Sequence, residues 1–231
     1  MKIFRKKNKV LIQATSFFLL NPYIANFFTG RLYTGSLKIF PFPVLNCWSC
    51  PAAVFACPIG ALSNLVSLKK FPFYVLGITI LASYKKNILC GYICPFGFFQ
   101  DLIYKIPFYK ASKRKRDIFS KIYLILDKPL KKLKYISLII LVLALPFFFH
   151  KNIFCILCPP AFLESSLPLL AIFPYLRDYV GFWFYFKTFV FFLFIFLSLI
   201  IMRPFCRYFC PLKGAFDMIS SSRTKLSLKR N

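Results

Sequence analysis

The segment Ile88-Leu89-Cys90-Gly91-Tyr92-Ile93-Cys94-Pro95-Phe96-Gly97-Phe98-Phe99-Gln100-Asp101-Leu102 contains the pattern on which the fold depends. Its two cysteines lie four positions apart, and a proline follows the second. Proline is favoured at the first position of a helix, because its missing N–H would have no partner there. The apolar run after the proline ends at Gln100 and Asp101. The segment therefore predicts two thiols in front of a helix N-terminus.

Copies of this motif recur along the chain. Cys206 and Cys210 repeat the spacing and the proline, and weaker copies are Cys155–Cys158 and Cys47–Cys50, the latter followed by Cys57. Five of the nine cysteines directly precede a proline: Cys50, Cys57, Cys94, Cys158 and Cys210. An odd number of cysteines in closely spaced groups indicates metal ligation rather than a disulfide framework. The alternative is packing, because a free cysteine behaves as a small buried apolar residue.

The composition indicates a polytopic membrane protein. Of 231 residues, 59% are hydrophobic and 16% are charged, whereas soluble domains have roughly half and about a quarter. The 32 Lys and Arg greatly outnumber the 6 Asp and Glu, and they alternate in blocks with apolar runs. This alternation favours membrane lipid over nucleic acid as the partner of the basic residues.

The predicted fold is an all-α membrane protein with about four transmembrane helices in two tandem halves. The spans lie near 10–28, 71–84, 135–149 and 180–202, and the second would be only about 21 Å long as a helix. The first half is 1–110, with cysteine motifs at 47–58 and 90–95. A basic loop at 111–134 precedes the second half, 135–220, with motifs at 155–159 and 206–211, and 221–231 form a basic tail.

The distribution of basic residues predicts the orientation. The N-terminus, the region 85–134 and the chain from Arg203 onward together hold 25 of the 32 Lys and Arg. With four spans these regions share one side, which is cytoplasmic by the positive-inside rule. Both termini are then cytoplasmic in an inner-membrane, multi-pass protein, and each half ends in a cysteine motif at the cytoplasmic face.

Two groups of candidate ligands follow from this orientation. Cys90, Cys94, Cys206 and Cys210 form the inner group, and Cys47, Cys50, Cys57, Cys155 and Cys158 lie at the opposite face. Four thiolates are what a [4Fe–4S] cluster requires, and a helix N-terminus favours an anionic ligand. One or two such clusters are expected. The outer group has five candidates for four places, with Cys57 a ligand and Cys47 spare, or the reverse.

Several activities are excluded by what the sequence lacks. The single histidine, His150, excludes a membrane haem held by two histidines. There is no Gly-x-Gly-x-x-Gly loop for a nucleotide or flavin and no Ser, His and carboxylate constellation. The chain is therefore expected to be an electron-transfer component rather than a stand-alone enzyme.

The motifs around Cys90–Asp101 and Arg203–Leu212 resemble those of polytopic iron–sulfur membrane proteins, namely the NapH-type quinol dehydrogenase component and the membrane part of NosR-type proteins. The resemblance implies 4Fe–4S binding and electron transfer between a membrane or cytoplasmic donor and a redox partner protein. The Cys-x2-Cys-x2-Cys-x3-Cys-Pro ferredoxin run of those families is missing here, so a quinone partner is left open.

Two other functions compete with electron transfer. A membrane thiol–disulfide oxidoreductase would also place paired cysteines at the ends of four spans. A metal-handling or assembly protein would bind metal at the same cysteines without redox turnover. Iron, acid-labile sulfide and the EPR spectrum of the reduced protein separate the three.

Overall fold

A computed structural model describes residues 8–106 and 126–230. In these ranges the regular backbone is helical, with no strand beyond an isolated bridge between Pro41 and Ala56. The all-α prediction is confirmed for this part of the chain. The basic residues before position 8, the loop segment 111–125 and the last residue of the predicted tail lie outside the described residues.

The first described range begins with an apolar helix and ends with the helix that follows Cys94. Its helices are α1 (Asn8–Leu20), α2 (Asn26–Thr29), α3 (Pro58–Ser67), α4 (Phe73–Ser83), α5 (Lys86–Ile88) and α6 (Pro95–Lys105), with a 3₁₀ turn at Ser36–Ile39. A π-helical turn, Leu89–Ile93, connects α5 to Cys94. Such turns are rare and occur frequently at functional sites.

The second described range contains the two longest apolar helices. Its helices are α7 (Leu126–Phe149), α8 (Ile153–Leu157), α9 (Pro159–Ala161), α10 (Leu167–Ile172), α11 (Phe182–Ile200) and α12 (Pro211–Arg230). A π-helical turn at Phe162–Ser166 joins α9 to α10, and another at Phe205–Phe209 precedes Cys210. The last helix, α12, includes most of the predicted tail.

Helices α7 and α11 are long and apolar enough to cross a membrane. With 24 and 19 residues they are about 36 and 28 Å long, close to the roughly 30 Å of a bilayer core. Only 17% of the most apolar window of α11 is buried inside the protein. A helix that is apolar on its exposed sides is typical of a lipid-facing span.

The other two predicted spans form shorter apolar helices. The run 10–28 gives α1, which ends at Leu20, because the residue before a proline disfavours helical backbone and Pro22 follows Asn21. The run 71–84 gives α4, of 11 residues. The described residues therefore contain two candidate spans, fewer than the four predicted from the sequence.

The helices that follow the inner cysteines pack in the same way in both ranges. Helix α6 contacts α1 and α11, and α12 contacts α7 and α4. Each motif helix therefore packs on one apolar helix from its own end of the chain and one from the other end. Buried rings hold these contacts, with Phe205 edge-to-face on both Phe96 and Phe194 at centroid distances of 5.2 Å. This is the packing that two halves related by a pseudo-twofold axis would have.

Asp101 joins the two ends of the chain through an ionic network. It lies seven residues after Cys94, and its carboxylate accepts hydrogen bonds from Arg203 Nε at 2.6 Å and from Lys9 Nζ at 2.6 Å. Gln13 Nε2 donates to the same carboxylate at 3.0 Å. Burial alone would raise the pKa of Asp101, but Arg203, Lys9 and Gln13 outweigh it, and the pKa is lowered.

Asp217 occupies the corresponding position after Cys210. Lys86 Nζ donates to its carboxylate at 2.8 Å, and Lys134 donates to its other oxygen. Lys86 precedes Cys90 much as Arg203 precedes Cys206. Each carboxylate therefore binds a cation just before the other motif, so the two ion pairs fix the motifs relative to each other.

Replacing Asp101 by Asn is expected to destabilise the protein by about 1–3 kcal/mol, because Arg203 keeps a largely buried charge without its hydrogen-bonded counter-ion. The loss is predicted to be present above pH 3.8, the ordinary pKa of Asp, and to disappear as the pH falls through the lowered pKa. Thermal unfolding in detergent at several pH values measures it. Asp178→Asn, at an exposed carboxylate, is the control, and equal stability of both variants at neutral pH would contradict the prediction.

Helix α12 approaches α7 closely at Gly214. A Cβ there would lie 2.9 Å from the backbone oxygen of Lys134, so Gly214→Ala is expected to force the helices apart and cost about 1–3 kcal/mol. The matched control is Gly77→Ala in α4, where a Cβ meets nothing within 4 Å and alanine favours the helix. A melting temperature lowered by the first change and not by the second is the expected result.

Candidate metal centres

The four inner cysteines are brought together from two distant segments of the chain. Cys90 lies in the π-helical turn before α6, and Cys206 lies in the one before α12. Cys94 and Cys210 directly precede these helices. Each of the four thiols lies within electrostatic range of the other three. The structure therefore groups the residues that the sequence analysis assigned to an inner site.

Cys57, Cys94, Cys158 and Cys210 share one local geometry. Their ψ angles are 128°, 119°, 119° and 112°, and each is followed by a proline that starts a helix. At Cys210 the backbone N–H of Lys213 donates to Sγ at 3.5 Å. The backbone N–H groups of Gly60, Gly97 and Ala161, also three residues on, favour the other three thiolates. The first helical turn therefore supplies hydrogen-bond donors to the sulfur.

Arg203 holds the first inner motif against the second. Its backbone has φ of 53°, an uncommon left-handed conformation for a residue other than glycine. Its guanidinium donates to the carbonyl oxygens of Cys90 and Gly91, the latter at 3.0 Å. A Cβ on Gly97 would lie 3.2 Å from the same Cys90 oxygen. The backbone around Cys90 is thus fixed by Arg203 on one side and by α6 on the other.

One buried amide contacts a thiol of the inner group directly. Gln100 is 1% exposed and its Nε2 lies 3.2 Å from Cys206 Sγ. Because an amide N–H stabilises a thiolate more than a neutral thiol, it favours the deprotonated form of Cys206. Gln100 follows Cys94 in the sequence, so this contact also joins the two motifs.

Four of the five outer cysteines pack in one cluster, and Cys50 packs in a smaller cluster beside it. Cys155 lies within electrostatic range of Cys47 and Cys57, and Cys158 within range of Cys155, Cys57 and Cys47. A Cβ on Gly60 would lie 3.3 Å from Cys155 Sγ, so that glycine allows α3 to approach the group. Cys50 lies apart, with Cys47 as its neighbour among the thiols. The sequence left Cys47 or Cys57 as the spare residue, and the choice of four ligands among the five stays a prediction.

Two further charged side chains lie at the outer group. Glu164 Oε2 accepts from the backbone N–H of Cys47 at 2.6 Å, and burial raises the pKa of Glu164 to about 8. Lys187, in α11, lies within electrostatic range of Cys158, Cys47 and Cys155 and donates to Ser166 Oγ at 3.0 Å. Around Cys50, Lys38 Nζ donates to the Cys50 carbonyl at 3.4 Å.

Burial raises the pKa of every cysteine thiol in the chain. The pKa rises to about 12 at Cys50, Cys90 and Cys155, and it is also raised at Cys47, Cys57, Cys94, Cys158, Cys206 and Cys210. Neighbouring thiolates add to this effect within each group. These thiols become thiolates at neutral pH only if a positive charge enters the group, and iron supplies one.

The distance between the candidate ligands distinguishes a site for a single metal ion from a site for an iron–sulfur cluster. Within the described ranges, no three His, Cys, Asp or Glu side chains lie close enough together to hold one metal ion. A structural zinc site requires its thiolates at about 2.3 Å from a single ion. A [4Fe–4S] cluster binds its four thiolates on four separate iron atoms, which keeps the sulfur atoms further apart. Two groups of four thiols, each buried or half-buried, therefore fit a cluster better than a single ion.

The charged residues beside the sites were not assigned from the sequence. Lys187 is the only charged residue of α11. Because a charge inside an apolar span is costly, its position in the sequence indicated that it has a partner. Arg203 directly follows the fourth predicted span, and its contacts with Cys90 and Asp101 depend on tertiary structure. Asp101 and Asp217 form the ion pairs between the motifs, and these contacts also depend on tertiary structure.

The sequence is similar to a family described as 4Fe–4S binding domain over residues 54–74, 71–118 and 183–229. These segments include the four inner cysteines and Cys57.

The chain is 29% identical over 156 residues to an uncharacterized protein of Methanocaldococcus jannaschii, covering 67% of this chain and 56% of that protein. It therefore spans little more than half the length of this relative. No solved structure matches the chain. The family match supports an iron–sulfur protein, while the resemblance to NapH-type and NosR-type proteins stays a prediction.

Proposed function

We propose that this chain is a membrane-bound iron–sulfur electron-transfer protein with two [4Fe–4S] clusters. The inner cluster would be held by Cys90, Cys94, Cys206 and Cys210, and the outer one by Cys47, Cys57, Cys155 and Cys158. The observation that carries the proposal is the assembly of two groups of four buried or half-buried thiols, each containing two Cys-Pro helix starts. A bound cluster supplies reversible one-electron chemistry at potentials set by the surrounding charges and hydrogen bonds.

The two groups lie near opposite ends of α11. Lys187, close to the start of this helix, is in range of the outer thiols, and Arg203, just after its end, is in range of the inner ones. The part of α11 from Lys187 to Ile200 is about 20 Å long. This supports a protein in the cell inner membrane with one site at each face. The four-span topology with both termini cytoplasmic is part of the proposal, with α1 and α4 as the shorter crossings.

An apolar cleft lined by residues that follow cysteines of both groups supports a quinone as one electron partner. Its volume is about 560 Å³, and it lies between α3, α4, α7 and α12. Ile59, two residues after Cys57, and Ala215, five residues after Cys210, both line it. Apolar pockets of this size suit ring-bearing cofactors. A redox partner protein at the outer face would exchange electrons with the second site.

The thiol environment favours this proposal over a thiol–disulfide oxidoreductase. Disulfide-exchange enzymes use accessible cysteines with lowered pKa. Here burial raises the pKa of Cys90 and Cys155 to about 12, and their neighbours Cys94 and Cys158 are buried. Such thiols are poor nucleophiles but good ligands once a metal enters.

Metal analysis after anaerobic purification tests the proposal and the choice of ligands. The wild-type protein is expected to hold roughly eight iron and eight acid-labile sulfide per chain, as two [4Fe–4S] clusters require. Cys57→Ser is expected to lose about half of both, because it removes an outer ligand. Cys50→Ser is the matched control and is expected to keep all of them, since Cys50 lies apart from the group. Wild-type protein without iron and sulfide would end the proposal.

Filling the cleft tests the quinone. Ala215→Trp places a large ring in the cavity beside Met218 and is expected to slow cluster reduction by a soluble quinol analogue at least tenfold. Reduction by dithionite, which needs no cavity, is expected to be unchanged. The control is Leu81→Trp, at an exposed position of α4. If quinol reduces the Ala215→Trp protein as fast as the wild type, the cleft is not the quinone site.

A further inference from the structure

Lys187 has a buried ammonium group whose burial cost is not explained by its hydrogen bond. It is the single charged residue in the 19 residues of α11, and it is 9% exposed. Burying an ammonium group among apolar side chains is costly unless an opposite charge lies near. Ser166, its hydrogen-bond partner at 3.0 Å, is neutral. Among the described residues, no carboxylate forms an ion pair with Lys187.

The groups that face Lys187 are the outer cysteines. Cys158, Cys47 and Cys155 each interact with it electrostatically. Glu164 lies on the same π-helical turn as Ser166, but its Oε2 accepts from the backbone N–H of Cys47, and among the described ion pairs none joins it to Lys187. The outer thiol group is therefore the partner that the ammonium requires.

The cation at the inner group is arranged differently. Arg203 is in range of Cys206 and Cys94, but its guanidinium is bonded to the carboxylate of Asp101. The negative charge of Asp101 therefore largely cancels the effect of Arg203 on the thiols. Lys213, also near Cys90 and Cys206, is partly exposed, so water screens its charge. The outer group alone faces a buried cation without a paired carboxylate.

We propose that Lys187 is a positioning residue that raises the reduction potential of the outer four-cysteine site. The inference rests on the proposed function, since it concerns the cluster that this site would hold. Four thiolates make the site anionic overall, and reduction adds one electron and a further negative charge. A nearby buried ammonium stabilises the reduced form more than the oxidised form, because Coulomb attraction grows with the charge. The electron comes from the donor and no proton or bond is exchanged.

The test is an EPR-monitored redox titration of the full-length protein in nanodiscs. Lys187→Gln keeps a hydrogen-bond donor for Ser166 but removes the charge, and Lys187→Arg keeps the charge. At a fixed applied potential, we expect Lys187→Gln to lower the ratio of reduced to oxidised outer cluster at least tenfold. This corresponds to a reduction potential lowered by about 59 mV for a one-electron couple. Lys187→Arg and Ser166→Ala are expected to stay close to wild type.

Two controls keep the outcomes distinct. The signal that is absent from Cys57→Ser identifies the outer cluster, and Thr188→Val changes a neighbouring residue whose hydroxyl bonds within its own helix. Iron and sulfide are measured for each variant, and Lys187→Met replaces Lys187→Gln if the latter loses its clusters. Wild-type protein without clusters would defeat the proposed function itself. If Lys187→Gln keeps its clusters and the reduction potential of the outer cluster is unchanged, the proposed role of Lys187 is wrong. An equal shift in Lys187→Arg would also contradict that role, and in both cases the proposed function itself would stand.

Discussion

The cost of burying thiolates is the constraint on which the structure depends. A cysteine in apolar surroundings stays protonated, and the pKa of all nine is raised. Four such groups in one place repel each other further once they ionise. The chain offsets this locally with a helix start after Cys57, Cys94, Cys158 and Cys210, whose N–H groups face sulfur. The rest must come from cations, because a few N–H groups do not balance four charges.

The ion pairs explain how two segments more than a hundred residues apart keep one geometry. Asp101 and Asp217 each stand seven residues after a Cys-Pro cysteine, and each binds a cation that precedes the other motif. The carboxylates therefore act on the site through Arg203 and Lys86 rather than by contact with sulfur. Because Arg203 also donates to the Cys90 carbonyl, a shift of either motif would break bonds in both.

The parts of this arrangement that are local in sequence could be predicted, and those that depend on packing could not. Proline after cysteine predicted a helix start, and repeated spacing predicted that Cys90, Cys94, Cys206 and Cys210 belong together. The choice among five outer cysteines could not be made, because Cys50 and Cys57 both precede proline although a helix begins at Pro58 and not at Pro51. The length of the first span was overestimated, because the apolar residues continue past Pro22 whereas helix α1 ends at Leu20.

The difference between the two groups follows from where their cations sit. Arg203 lies beyond the end of α11, where a carboxylate of α6 can reach it. Lys187 lies inside the apolar helix, where no carboxylate of the described residues pairs with it. Under the proposed function, the cofactor of the outer site would provide the negative charge that this cation lacks. Lys187 and the outer thiols would then each lower the burial cost of the other.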